Sequence, residues 1–257
     1  LYFQQLLGLD MKRMFLFLLL FCAISLVAFS QDDLQNIQFE ESNVKIEKPP
    51  YFGLGGGYVG SFIFINVDDL NKVCGVIGLN NFKSPFYLSG AQGFTAIGII
   101  PNLRIGFSGY SGYKTEEKKF DYNQTKGIKY EIGFTGFAVD YGFVVIKSLA
   151  VLPGLGFGWS SIDIANYNVT KFEWNDLTTN NYTSNQLKGS FWFVEPHVNI
   201  EFAVTPFLML RLGAQYPIGF GQKWQVNDVV EVGGVPSSLK PNGFAINFGL
   251  FVGLFNY

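Results

Sequence analysis

Charge, histidine and cysteine are all scarce in this chain. Only 15% of its 257 residues are Asp, Glu, Lys or Arg, against about a quarter in an ordinary soluble domain. They nearly cancel, at a net charge of −2, which gives no reason to expect nucleic acid as a partner. A single histidine, His197, excludes a histidine-rich metal centre, since such sites gather several imidazole or thiolate ligands. There is no CxxC, no HExxH and no phosphate-loop motif. Beyond Phe29 no run of ~18 apolar residues occurs, so no further stretch reads as a transmembrane helix. What is abundant points the same way: 48% hydrophobic and 18% aromatic residues, with 28 Phe beside 30 Gly. A disordered chain has few aromatics and a large net charge, so this one folds.

The first thirty residues account for part of the hydrophobicity. "MKRMFLFLLLFCAISLVAFSQ" begins at Met11, carries Lys12 and Arg13, and continues as an apolar run to Phe29. Small residues Ala28 and Ser30 stand where a signal peptidase requires them. Residues 11–30 therefore read as a signal peptide cleaved near Ser30, and the alternative is an N-terminal membrane anchor. Residues 1–10 read as upstream translation or a remnant of an expression tag, and 31–50 as a periplasmic N-terminal tail. Cys22 follows the bulky Phe21 and is discounted as a lipidation site. Cleavage leaves Cys74 alone, and one thiol forms no internal disulfide.

From residue 51 onward the pattern has period two, the signature of strands. In 190–204 one phase is Trp192, Val194, Pro196, Val198, Ile200, Phe202 and Val204. The other includes Glu195, His197, Asn199 and Glu201. After Thr205-Pro206 a second strand alternates Leu208, Leu210, Leu212 and Ala214 against Met209, Arg211, Gly213 and Gln215. Six more strands are expected near 51–65, 86–100, 102–114, 128–146, 149–165 and 242–256, with a bulge near Gly136 where the alternation changes character. Short links at Pro101-Asn102, Lys147-Ser148 and Thr205-Pro206 alternate with long polar ones near 66–85, 115–127, 166–187 and 223–241. Strict alternation of this kind belongs to an up-and-down meander. The first long link carries Val67, Leu70, Cys74 and Ile77 at helical spacing behind Asn66, which predicts a short amphipathic helix.

Glycines and small residues share the polar phase, as a narrow interior demands, while the opposite phase is Leu, Phe, Trp and Tyr almost without charge. That is a greasy exterior around a polar lumen. The expected fold is all-β: an eight-stranded antiparallel up-and-down transmembrane β-barrel over 51–257, with one short helix in the first long loop. With its export signal, eight strands, asymmetric loops and the terminal "FGLFVGLFNY", the chain resembles the small eight-stranded outer-membrane barrels of Gram-negative bacteria. The resemblance implies an outer-membrane location with tight turns in the periplasm and long loops outside. It is architectural and implies no activity.

The candidate lumen group is Arg104, Glu195, His197, Asn199, Glu201 and Arg211, with Glu131 as a further member. It reads as a structural, charge-paired filling of an interior only wide enough for side chains; the alternative is a proton or ion path. His197 beside Glu195 also suggests acid–base chemistry, but no Ser follows at the spacing of a lipid-modifying site. "FGLGGGYVG" at 52–60 lacks the Lys of a phosphate loop and fits alternate small residues lining a barrel. Phe172, Trp174 and Tyr182 lie in an Asn/Thr-rich segment that is a candidate surface-recognition loop for glycan or protein. The expected role is structural, adhesive or surface-binding, with outer-membrane lipid as a partner and no catalytic, metal or cofactor residues. A carrier of small apolar molecules and a soluble lipocalin-like barrel are the alternatives. Oligomeric state is not legible.

Overall fold

Successive side chains of an extended chain point to opposite faces, so a chain that alternates for long stretches is committed to strands. A computed structural model describes residues 50–120, 124–169 and 183–257. The expected leader and nearly all of the tail lie outside the described residues, as do Phe172, Trp174 and Tyr182. The elements are β1 (Phe52–Ile65), α1 (Asp68–Ile77), β2 (Phe86–Ala96), β3 (Leu103–Phe120), β4 (Gln124–Tyr141) and β5 (Phe143–Ile146). There follow β6 (Leu149–Val169), β7 (Thr183–Thr205), β8 (Leu208–Gln215), β9 (Ile218–Val226), β10 (Val230–Glu231) and β11 (Gly243–Asn256). Among the described residues no helix is long and apolar enough to cross a membrane.

All pairings are antiparallel. They run β1–β2–β3–β4–β6–β7–β8–β11 and return to β1 through the register Phe52↔Asn256 to Ile65↔Gly243. The sheet thus comes back to its own first strand. β5 continues β4 and pairs with β6, β9 continues β8 and pairs with β7, and β10 folds onto β9. The connection over 97–102, the one at Lys147-Ser148 and the one at Pro206-Phe207 all lie at one end, the turn end. At the opposite, loop end lie α1 and the connection over 227–242.

Four expectations need correction. The link between β2 and β3 is the whole of 97–102, closed by Ile97 N–H donating to Leu103 O at 2.7 Å, because Ile99 turns out into solvent at 92% exposure and leaves the alternation. Strand reaches into the polar segments near 115–127 and 166–187: β3 pairs with β4 out to Phe120↔Gln124, and β6 with β7 out to Asn168↔Thr183. They prolong strands whose inward side chains just before them (Ile128, Tyr130, Ile132, Ile162) are buried, and the pairing continues past that apolar layer although the added residues are polar. There is no bulge at Gly136, where the register runs unbroken from Glu131↔Asp163 to Asp140↔Gly154. Register shifts fall instead at Val144/Ile146, Ser190/Trp192 and Ala203/Thr205. Finally, the strand after Pro206 is divided at Tyr216-Pro217, since proline has no N–H to give the ladder, and beyond it β9 pairs with β7 and not with β11.

What changes near Gly136 is polarity, on both faces at once. Outward residues of β4 pass from Lys129, Glu131 and Thr135 to Phe137, Val139 and Tyr141, while inward ones pass from Tyr130, Ile132 and Phe134 to Asp140. On β7 the outward face changes between Ser190 and Trp192, and the inward face between Phe193 and Glu195. The loop half is built like a soluble domain, with an apolar core that includes Phe82, Phe86, Tyr130, Phe134, Phe191 and Phe193. The turn half is inverted: Glu201 is 0% exposed while outward Leu212 is 56% exposed.

Helix α1 seals the loop half. Asn66 accepts a hydrogen bond from Asp68 N–H at 2.8 Å, and Leu70 and Cys74 are buried in the apolar core. The helix stops at Gly78, whose φ of 77° suits glycine. Asn71 clamps Phe82 by accepting from its N–H at 2.7 Å and donating to its carbonyl at 3.1 Å. Lys72 and Ser238 both bond to Asp69 and hold its carboxyl below the usual range, Lys72 contributing most.

Ring closure depends on close backbone approach at Gly57, the register partner of Phe251. A Cβ there would sit 2.0 Å from Leu250 O and 2.6 Å from Phe251 Cα. We expect Gly57→Val to cost about 1–3 kcal/mol through overpacking. Gly56→Val, whose Cβ would meet only Gln92 O at 3.7 Å, should be nearly silent. Thermal unfolding in detergent, followed by circular dichroism, separates the two.

Candidate functional site

Inside the turn half, inward polar residues from five strands meet. The register sets Glu201 opposite Arg211 on the β7–β8 hairpin and Arg104 opposite Asp140 on β3–β4. Arg104 is fully buried; its Nε donates to Asp140 Oδ2 at 2.9 Å and its Nη1 to Glu201 Oε1 at 2.5 Å. Arg211 Nε donates to the same Glu201 oxygen at 2.8 Å, and its Nη1 donates to Gln92 Oε1. The Tyr51 hydroxyl donates a hydrogen bond to Glu201 Oε2 at 2.8 Å and accepts one from Arg104 Nη1 at 3.0 Å. Both guanidinium groups lie against aromatic faces: Arg104 is 4.3 Å from the Phe94 ring centroid and Arg211 is 4.1 Å from that of Phe251. Cation–π attraction is strongest where the cation is desolvated, as here.

A second arm runs toward the loop half. His197 Nε2 lies 2.5 Å from Asp140 Oδ1, and its Nδ1 is 3.2 Å from the Glu195 backbone carbonyl. Both ring nitrogens thus face acceptors, and the imidazolium satisfies both as a donor. In that form three carboxylates (Asp140, Glu195, Glu201) balance three cations (Arg104, Arg211, His197). The Tyr110 hydroxyl donates to Glu195 Oε2 at 2.9 Å and accepts from Gln215 Nε2, whose own carbonyl accepts from Asn247 Nδ2 at 2.7 Å. Below the network Tyr51, just before β1, stacks on Tyr257, just after β11, with centroids 4.9 Å apart, and the two rings floor it together.

All six inward candidates named from sequence (Arg104, Glu195, His197, Asn199, Glu201, Arg211) are buried on this face. Asn199 is opposite Gly213 and its Oδ1 has no hydrogen-bond partner. Glu131 is not a member: it points outward and pairs with Lys129 at 2.6 Å, both side chains about two-fifths exposed. Sequence reasoning missed Asp140, Tyr51, Tyr110, Gln92, Gln215 and Asn247. The signal for Asp140 was present, because it keeps the phase of Tyr130, Ile132 and Phe134, but it required trusting the alternation across Gly136.

Chemically, the arrangement holds charge in place and leaves little free volume between the polar side chains. The cavity bordered by Gln92, Ser108, Tyr110, His197 and Arg211 has a volume of about 30 Å³, the share of one liquid water. The apolar core seals the next layer up, and Cys74 within it is fully buried, which pushes its thiol up and keeps it from reacting. The Glu195 carboxylate is 4.0 Å from His197 Nδ1, at the limit of an ion pair, and the nearer carboxylate to the imidazole is that of Asp140. Among the described residues no cluster of His, Cys, Asp or Glu could hold a metal ion.

Breaking a buried ion pair from one side costs about 3–5 kcal/mol because it strands the other charge. Arg104→Met, which leaves Asp140 with His197 alone and Glu201 with Arg211 and Tyr51, and the buried network one positive charge short, should show a loss of this size in urea unfolding from detergent micelles. Glu131→Gln should stay within about 0.5 kcal/mol of the parent.

No protein-family model matches the chain, and no characterised protein matches it by sequence. Among solved structures it is similar to a major outer membrane protein of Thermus thermophilus, at TM-score 0.45 and 7% identity over 77% of this chain and 98% of that one. It is also similar to OprG of Pseudomonas aeruginosa, at TM-score 0.39 and 11% identity over 82% and 96%. A third is Ail, the attachment invasion locus protein of Yersinia pestis, at TM-score 0.33 and 10% identity over 82% and 100%. The chain resembles small outer-membrane β-barrel proteins.

Proposed function

We propose that residues 51–257 form an eight-stranded transmembrane β-barrel of a Gram-negative outer membrane, closed to passage, that acts through its outer surfaces. Residues 11–30 direct export and are cleaved near Ser30, and 31–50 form a periplasmic tail. The turn end faces the periplasm and the loop end faces outside. The observation that carries this reading is the inverted half: Leu210, Leu212, Phe202, Ile200 and Phe137 are about half exposed while Arg104, Asp140 and Glu201 are buried. In water that band would sacrifice about 25 cal/mol for every Å² left uncovered, and in lipid it sacrifices nothing. The outward apolar run of β6, from Leu149 to Trp159, has the ~9–11 residues that a tilted strand needs to cross a bilayer.

The filled interior favours structural, adhesive or surface-binding work over transport. It carries an apolar plug above a charge-paired one, with room for about one water between the polar side chains. Catalysis is disfavoured for the same reason, since His197 and its carboxylates are shut inside. The expected recognition surface is the loop end, and the candidate recognition residues Phe172, Trp174 and Tyr182 lie in the sequence between the end of β6 and the start of β7.

Purified protein is expected to float with phospholipid vesicles, to migrate faster on SDS gels unboiled than boiled, and to give no channel steps in a planar bilayer. Recovery as a soluble protein without detergent would sink the lipid-facing assignment. Steady single-channel currents would sink the closed interior and favour a carrier instead.

A further inference from the structure

One inward row is polar but carries no charge. Its register partners run Leu88, Ser61, Asn247, Gly213, Asn199 and Leu152, across β2, β1, β11, β8, β7 and β6. Leu88 and Leu152 are fully buried and close the row at both ends with apolar side chains. Between them Ser61 is 1% exposed, and Asn199 and Asn247 are each 5% exposed. Among the described residues neither Ser61 Oγ nor Asn199 Oδ1 has a hydrogen-bond partner. Buried polar atoms without a partner are costly, and one small molecule that serves several of them removes the cost.

The glycine in the middle of the row provides the room. A Cβ on Gly213 would fall against Asn199 Oδ1 and within 2.7 Å of Asn247 Oδ1, so two amide oxygens face the space that glycine leaves. The orientation of Asn247 is set by its neighbours. Tyr110 donates to Glu195, Gln215 Nε2 donates to Tyr110, and Asn247 Nδ2 donates to Gln215 Oε1. Every donor in that chain points toward Glu195, so its far end, Asn247 Oδ1, is left to accept. The same two asparagines border the cavity of about 30 Å³.

We propose that this row is a binding site for one water molecule, whose two hydrogens go to Asn199 Oδ1 and Asn247 Oδ1 and whose oxygen accepts from the Ser61 hydroxyl. Two acceptors and one donor are what a water satisfies, and about three bonds is the usual number for a buried one. An anion would face two carbonyl oxygens. A cation would stand one inward position from Arg211 on β8, in an interior where an unmatched charge is costly. The water ties β1, β11 and β7 together over the glycine of β8, and so bridges the seam at which the sheet closes. This site goes beyond the closed interior proposed above and does not depend on what surrounds the wall.

The test is X-ray diffraction from crystals of the intact protein grown in a rubidium salt, at a resolution that shows ordered water. The expected result is a solvent peak without anomalous signal, about 2.7–3.2 Å from Asn199 Oδ1, Asn247 Oδ1 and Ser61 Oγ. An anomalous peak there would overturn the assignment in favour of a monovalent cation. A direct hydrogen bond between the amides of Asn199 and Asn247, with no peak, would overturn the site altogether. Oxygen-17 relaxation dispersion in detergent micelles supplies a second readout. Gly213→Ala puts a methyl group in the space and is expected to remove one long-lived water relative to the wild type. Ser61→Ala keeps both amide acceptors and the room, and is expected to retain that water but release it faster. Equal numbers of long-lived waters in the wild type and a folded Gly213→Ala would overturn the site. Should Gly213→Ala not fold, unchanged release in Ser61→Ala would overturn it instead.

Discussion

The pairing of β11 with β1 is the constraint on which everything else depends. A sheet left open would expose a row of unpaired N–H and C=O groups, costly in water and prohibitive in hydrocarbon. Closing it after so few strands leaves a narrow interior. Narrowness explains why Gly57 and Gly253 bring backbone against backbone at the seam, where a Cβ on either would lie 2.0 Å from a carbonyl oxygen of the facing strand. It also explains why large aromatic and charged inward side chains pack so closely on one another. Once the interior is small, any charge in it has to be matched by its immediate neighbour, and the Arg104–Glu201–Arg211 cluster follows.

Matching succeeds because register does the placing. Glu201 meets Arg211 across a two-residue turn, and Arg104 meets Asp140 across β3–β4; neither contact needs a loop to be correctly folded. Tyr51 reaches the cluster from just before β1, and Tyr257 stacks beneath it. The two ends of the barrel chain therefore meet at the same charges, and the network joins closure of the ring to filling of its floor.

Much of this was legible in the sequence, for a physical reason. Period-two alternation is absolute in a strand, so Glu195, His197, Asn199 and Glu201 declared a common face without any structure. The three-to-four spacing of Val67, Leu70, Cys74 and Ile77 placed the short helix behind Asn66 in the same way. Strand length was less legible, because Lys118, Lys126 and Asn166 look like loop residues when only polarity is read; their inward neighbours Ile128 and Ile164 make them strand. Asp140 was lost for a related reason: on β4 both faces exchange character in the same few residues, which imitates a slip of phase. The division at Tyr216-Pro217 was written in the proline itself, but the partner that β9 keeps is decided by the neighbouring strand, which a single chain read in order does not disclose.

The strands are not equal in length. β1, β2 and β11 have 14, 11 and 14 residues, while β3, β4, β6 and β7 have 18, 18, 21 and 23. The four long ones are contiguous, so the rim at the loop end is a parapet on one flank and a low sill on the other. The tall flank presents the ends of β3, β4, β6 and β7, and the low one the ends of β1, β2 and β11. Whatever the rim receives, it receives with a fixed compass bearing, set by where the strands stop.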